Sequence, residues 1–126
     1  MKLLAGMVVL LLVIVGFASF IYHQTSEISE DLVASLSTIQ QRVEQGEWEE
    51  AGKEITQLRA HWERADRWWT PFMDHREIDT LDQSITRATS LVKIRLQDEA
   101  LVELDVAMRM VQRVRDREGI NLSNIF

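Results

Sequence analysis

The sequence predicts an all-α protein in which an N-terminal transmembrane helix precedes an up-down antiparallel helical bundle. Three observations predict this fold. Residues 3–22 form one uncharged apolar run, the rest of the chain repeats apolar residues every three or four positions, and only five glycines and one proline occur in 126 residues. The repeats are typical of amphipathic helices, and the scarcity of turn residues favours long helices over a sheet.

The first element is the apolar run, LLAGMVVLLLVIVGFASFIY, residues 3–22. A helix of this length spans about 30 Å, the hydrocarbon thickness of a bilayer. Lys2 precedes the run, and Glu27, Glu30 and Asp31 follow it before any basic residue. The positive-inside rule therefore predicts a cytoplasmic N-terminus and an extracytoplasmic C-terminal part.

A cleaved signal peptide is the alternative interpretation of the apolar run. Small residues at Gly16 and Ala18 would allow cleavage after Ala18 and would yield a secreted protein. The apolar residues continue through Tyr22, beyond the usual signal core, so we favour an uncleaved single-pass anchor in the cell membrane. We accordingly divide the chain into a transmembrane anchor, residues 1–23, and an extracytoplasmic helical domain, residues 24–126.

The first two bundle helices follow directly. The first is predicted to continue straight out of the anchor and to end near Gly46, a residue suited to a helix C-terminus. The second has the clearest apolar seam in the chain, with alternating intervals of three and four residues typical of a heptad pattern. That seam consists of Trp48, Ala51, Ile55, Leu58, Trp62, Ala65 and Trp69.

The third and fourth helices are predicted from similar seams. Asp98 is placed to cap the start of the fourth helix and Gly119 to end it, and the tail NLSNIF is expected to fold back on the bundle. The short connections predict antiparallel neighbours. Because residues 48–58 and 98–108 are weakly similar, two stacked helical hairpins of the tetratricopeptide type are the alternative architecture.

The stretch WWTPFMDHREID, residues 68–79, lies between the second and third helices. Pro71 cannot continue a helix, so the second helix is predicted to end near Trp69. Asp74 and Glu77 have the spacing of a capping box, in which Asp74 accepts from the backbone N–H of Glu77 and Glu77 reaches back to Asp74. This structural role is our preferred interpretation of the polar cluster.

A metal or ligand site is the alternative interpretation of the same cluster. His75, Asp79 and Asp82 fall on one polar stripe of the third helix, and His and Asp four residues apart can share a metal ion. Further ligands would have to come from another helix, where His61 and Glu63 are the nearest candidates in the sequence. These residues would form the binding site of an envelope sensor.

Three tryptophans of the second seam raise a similar choice. Trp48, Trp62 and Trp69 share one heptad seam, and aromatic residues at that spacing usually belong to a core. Tryptophan is also a common anchor of protein interfaces, so a seam that faces a partner protein is the alternative.

Composition and missing motifs narrow the function. The chain has no cysteine, which excludes a disulfide framework, a thiolate zinc site and a cysteine nucleophile, and its net charge is −6. An acidic chain is a poor nucleic-acid binder. Because we find no HExxH motif, phosphate-binding glycine loop or nucleophile elbow, we expect no catalytic residue, no cofactor and no enzyme activity. The predicted function is a membrane-anchored extracytoplasmic protein-interaction or scaffold module with a protein partner in the envelope.

Several of these features together resemble a known family. The N-terminal anchor, the tryptophan-bearing helix, the DHREID stretch of residues 74–79 and the closing NIF are similar to those of domain-of-unknown-function family 4363, small bacterial membrane proteins. The resemblance covers most of the chain, from the anchor to the tail. It implies an anchored helical domain from bacteria, many of them Gram-positive, and it carries over no activity and no catalytic residue.

Overall fold

Four α-helices and no strand make up the part of the chain that the structure, a computed structural model, describes. The description covers the backbone of residues 1–125 and the side chains of residues 1–117. The helices are α1 (Lys2–Glu44), α2 (Trp48–Trp69), α3 (His75–Lys93) and α4 (Gln97–Ile125). The predicted all-α fold is therefore confirmed.

Helix α1 is one uninterrupted helix of 43 residues. Its N-terminal half contains the apolar segment, residues 3–22, which is long and apolar enough to cross a membrane and is not buried in the bundle. Between Gly16 and Gly46 the sequence contains neither glycine nor proline, the usual causes of a sharp kink. The predicted continuation of the first bundle helix from the apolar run is confirmed.

The bundle closes around a single core. Helix α1 packs along both α2 and α4, α4 packs along α3, and α2 makes fewer contacts with α3. The predicted seams of α2, α3 and α4 all supply buried residues to this core. Stacked hairpins of the tetratricopeptide type would separate the helix pairs, so the antiparallel bundle, and not that alternative, describes the protein.

The two ends of the bundle differ in their relation to the apolar segment. At one end, the side-chain amide of Gln97 donates to the Val43 carbonyl at 2.9 Å, so the α1–α2 and α3–α4 connections lie together. At the other end, the rings of Trp68 and Phe20 have centroids 6.1 Å apart, which places the α2–α3 connection beside the apolar segment. We call these the distal end and the proximal end.

Two helices end where their turn residues predict: α1 ends before Gly46 and α2 ends before Pro71. Helix α1 gives way to Gly46, whose φ of 73° lies in the left-handed region that favours glycine. The predicted cap at Asp98 is wrong, because α4 begins at Gln97 and the Leu96 carbonyl already accepts the Ala100 N–H at 2.9 Å. Asp98 lies instead in the first turn of α4, where a negative charge still suits the helix dipole.

The predicted stop at Gly119 is also wrong. Helix α4 continues through Gly119 to Ile125. A glycine inside a helix costs only about 1 kcal/mol relative to alanine, which does not by itself end the helix. The tail NLSNIF does not fold back as expected, because residues 121–125 continue α4; Phe126 lies outside the described residues.

Candidate functional site

The chain reverses direction within residues 70–74. Helix α2 ends at Trp69, as Pro71 predicts. The Trp69 carbonyl accepts the N–H groups of Phe72 and Met73 at 2.9 and 2.8 Å. The Asp74 carboxylate then accepts the backbone N–H of Arg76 at 2.9 Å and caps α3. The polar cluster of the connection therefore has local hydrogen-bonding roles.

The capping box itself is not formed as the spacing predicts. Asp74 bonds the N–H of Arg76, one residue before Glu77. Glu77 does not reach back, because its carboxylate accepts from the guanidinium of Arg117 on α4. Glu77 therefore joins α3 to α4 instead of closing the cap.

One of the three residues in the predicted polar stripe of α3 is already hydrogen-bonded to another helix. His75 and Asp79 are exposed, whereas the Asp82 carboxylate accepts the indole N–H of Trp62 at 2.8 Å. His61 and Glu63 do not complete a site with them. Within residues 1–117, no three His, Asp or Glu side chains are grouped so that they could hold a metal ion.

The tryptophans of α2 divide between the core and its ends. Trp62 and Trp69 are 7% and 2% exposed, and their rings meet edge to face with centroids 6.4 Å apart. Trp48 and Trp68 are half-buried against the core at opposite ends of α2. The central part of the tryptophan seam thus faces the bundle interior and offers no surface to a partner.

A surface at the proximal end was not predicted. Five residues line a shallow hollow of about 560 Å³, which we call the corner surface: Arg64, Arg67, Trp68, Pro71 and Phe72. Phe72 is 58% exposed. This surface joins α2 to the connection that follows it, and it combines aromatic rings with two guanidinium groups.

Helix α1 holds the corner surface in place through α2. The Arg64 guanidinium lies 3.6 Å from the Asp31 carboxylate and donates to the Gln24 side chain at 3.3 Å. One turn further along α2, Trp68 contacts Phe20. The sequence held no signal for these pairs, because helical periodicity does not determine how far one helix slides along another.

A second hollow, of about 250 Å³, lies between α3 and α4. Its polar lining is mostly basic, with Arg76, Arg113 and Arg117 around Glu77. Glu77 is already engaged by Arg117, so the remaining character of the hollow is basic and apolar. The lining holds no pair of side chains arranged as nucleophile and base.

The distal end combines exposed apolar residues with charged neighbours of both signs. Ile94, Leu96 and Val102 are 63%, 43% and 62% exposed. Arg95, Asp98 and Glu99 lie between them in the chain. We call this set, residues 94–102, the distal surface.

An ion pair closes the neighbouring α1–α2 connection. Arg42 and Glu47 approach to 2.6 Å. This hydrogen bond and the negative charge of Glu47 raise the pKa of Arg42. The Arg42 guanidinium, which is always charged at physiological pH, neutralises one carboxylate near the distal surface.

Comparison with known proteins gives one match. A family model described as "Domain of unknown function (DUF4363)" matches residues 19–125. That range covers the whole bundle and the last residues of the apolar segment, and it agrees with the resemblance seen in the sequence. No curated protein and no solved structure matches the chain significantly.

Proposed function

The chain belongs to the DUF4363 family, and from that premise we propose that it is a membrane-anchored interaction module. In this proposal the apolar segment crosses the cell membrane once, and the bundle binds a partner protein on the extracytoplasmic side. The family description carries no activity, so the support comes from the chain's own surfaces.

The apolar segment supports the membrane span. Its large side chains are exposed along nearly the whole length of residues 3–22. A continuous apolar surface of this size is rare on a soluble protein, and a bilayer buries it. Lys2 on one side and the carboxylates of Glu27, Glu30 and Asp31 on the other favour a cytoplasmic N-terminus.

The distal surface is the observation that carries the interaction role. Beyond the apolar segment, four large apolar side chains are exposed among those described, and three of them belong to residues 94–102. This surface lies at the end of the bundle furthest from the apolar segment, where a second protein can approach without meeting the bilayer. Because Arg95 as well as Asp98 and Glu99 lies among these residues, we expect a partner whose apolar residues are set among charges of both signs.

Site-specific photo-crosslinking in the native membrane tests this role. We would place a photoreactive amino acid at Val102 and, as a matched control, at Gln57 on the exposed face of α2. The proposal predicts one discrete adduct from Val102 that weakens when Ile94→Asp is added. Equal adducts from both positions, or none from Val102, would contradict it.

The orientation can be measured separately because the chain has no cysteine. A membrane-impermeant maleimide should label Gln57→Cys, on the exposed face of α2, in intact cells, while Leu3→Cys, which keeps Lys2, should react only after the membrane is opened. Labelling in the opposite order would place the bundle in the cytoplasm and overturn the orientation.

The sensor alternative gains no comparable support. It relies on His75, Asp79 and Asp82, and Asp82 is already engaged by Trp62 on α2. The interaction role needs no catalytic residue, so we propose no enzyme activity and no cofactor.

A further inference from the structure

We propose that the corner surface is a second membrane contact, in which Trp68, Pro71 and Phe72 lie in the interfacial layer of the bilayer that the apolar segment crosses. Arg67 then faces the lipid phosphates, while Arg64 stays paired with Asp31 and Gln24 of α1. This inference rests on the proposed single span. It adds that the bundle is seated on the bilayer and does not stand away from it at the end of its anchor.

The depth of Trp68 is the first step. Phe20 lies two residues before the end of the apolar segment, and the Trp68 ring is 6.1 Å from its ring, centroid to centroid. A span needs about 20 apolar residues, so a run that ends at Tyr22 brings Phe20 to the boundary between hydrocarbon and headgroups. Trp68 is therefore held at that boundary as well.

The rigidity of the attachment is the second step. Arg64 contacts Asp31 and Gln24, which lie two turns apart on α1, and Trp68 contacts Phe20, one turn closer to the membrane than Gln24. These contacts run down α1 in order, so α2 follows α1 to the membrane boundary. The α2–α3 connection follows α2 directly, so it also lies at the membrane boundary.

The composition of the corner surface is the third step. Trp68 is half-buried, Phe72 is 58% exposed, and Arg67 is exposed beside them. Aromatic side chains are enriched where hydrocarbon meets headgroups, and arginine extends its charge to the phosphates from that depth. A partner protein at this level would have to displace lipid headgroups, so the bilayer itself is the occupant that the position favours.

Fluorescence quenching in vesicles tests the proposal on the full chain. The variant Phe72→Cys, labelled with an environment-sensitive fluorophore, would be reconstituted in phosphatidylcholine vesicles with brominated acyl chains. Val102→Cys is the matched control, because Val102 is an equally exposed apolar residue, 62% exposed, at the distal surface. Bromines near the glycerol end should quench the Phe72→Cys label several-fold more strongly than the Val102→Cys label.

A third label separates this inference from the proposed span. The Leu11→Cys label, in the middle of the apolar segment, should be quenched best by bromines near the terminal methyl group. If that label is quenched and Phe72→Cys behaves like Val102→Cys, the corner contact is overturned while the span stands. If the Phe72→Cys emission shifts to the blue without quenching, the corner is buried against protein and the inference is also overturned. Failure of Leu11→Cys to be quenched would overturn the span, and the corner contact with it.

Discussion

At the scale of single residues, the hydrogen bond between Trp62 and Asp82 joins the two least closely packed neighbours of the bundle. Helix α2 makes fewer contacts with α3 than the other neighbouring pairs make. The indole N–H of Trp62 donates to Asp82 across that gap at 2.8 Å. Because the Trp62 ring is otherwise enclosed in the core, the bond fixes its orientation as well.

We predict that Asp82→Ala lowers the free energy of unfolding by about 1.5 kcal/mol, the lower limit for hydrogen bonds to charged groups, because Asp82 is exposed. Asp79→Ala removes a carboxylate from the same stripe and should stay within about 0.5 kcal/mol of the parent. Thermal unfolding of the full chain in detergent measures both changes. Equal losses would mean that the indole bond contributes nothing specific.

The polar stripe shows which residue roles a sequence can predict. Spacing alone places His75, Asp79 and Asp82 near one another on α3. It cannot reveal that Asp82 is engaged, because its partner Trp62 comes from another helix, 20 residues away in the chain. The role of Asp74 as a cap was predictable, because the residues that it contacts are neighbours in the sequence.

At the scale of elements, the two distal connections use left-handed backbone in different ways. Gly46 after α1 has a φ of 73°, and Arg95 after α3 has a φ of 59°. Glycine adopts this conformation without steric cost, whereas a residue with a side chain is strained there. The α1–α2 connection is thus relaxed and the α3–α4 connection carries a small strain.

We predict opposite effects for two glycine substitutions. Gly46→Ala should destabilise the protein by about 1 kcal/mol, because alanine is strained at positive φ. Gly52→Ala, inside α2 and exposed, should stabilise it by about 0.5–1 kcal/mol, because alanine favours the helix. A new Cβ meets no atom within 4 Å at either position, so neither substitution creates a steric clash that would add to the backbone effect. Melting temperatures that move in the same direction would contradict this account.

The cap of α3 gives a second test at this scale. Asp74→Ala should cost about 1 kcal/mol, the usual loss for an N-cap, because the N–H of Arg76 loses its acceptor. His75→Ala, at the adjacent exposed position, should cost much less. Urea unfolding of both variants in detergent measures the difference. A larger loss from His75→Ala than from Asp74→Ala would show that His75 makes a contact of its own.

The extents of the helices were largely predictable, for local reasons. Periodic seams define α2 and α3, and Pro71 and Gly46 end the helices before them. The start of α4 was misplaced by two residues, because Leu96 and not Asp98 provides the first helical carbonyl. Its end was misplaced because Gly119 is a stop signal in a sequence pattern, whereas its cost of about 1 kcal/mol does not end the helix.

At the scale of the whole molecule, α1 makes the apolar segment and the bundle one continuous body. The apolar run exceeds the length of a usual signal core, so we predict that the mature protein keeps its N-terminus. The intact mass of the membrane-extracted chain should include residues 1–18. A mature chain that begins at Ser19 would contradict the anchor and support secretion.

The bundle architecture could be predicted, whereas both candidate surfaces could not. Short connections force neighbouring helices to run antiparallel, which determines the topology. The corner surface depends on the axial position of α2 along α1, which brings Trp68 to Phe20. For the distal surface, periodicity does place Val102 off the buried seam of Ala100 and Leu104, but it gives no position for Ile94 and Leu96, which lie in the connection between α3 and α4.

Because α1 is one unbroken helix, it acts as a rigid lever: a rotation of the apolar segment moves the distal end of the bundle. From residue 22 to residue 44 the helix extends about 33 Å beyond the apolar segment. A span tilts when its length and the bilayer thickness do not match, and a tilt of about 20° would swing the far end of such an arm sideways by about 11 Å. Because α1 has no flexible joint between the apolar segment and the distal end, a change in bilayer thickness that tilted the proposed span would displace the distal surface.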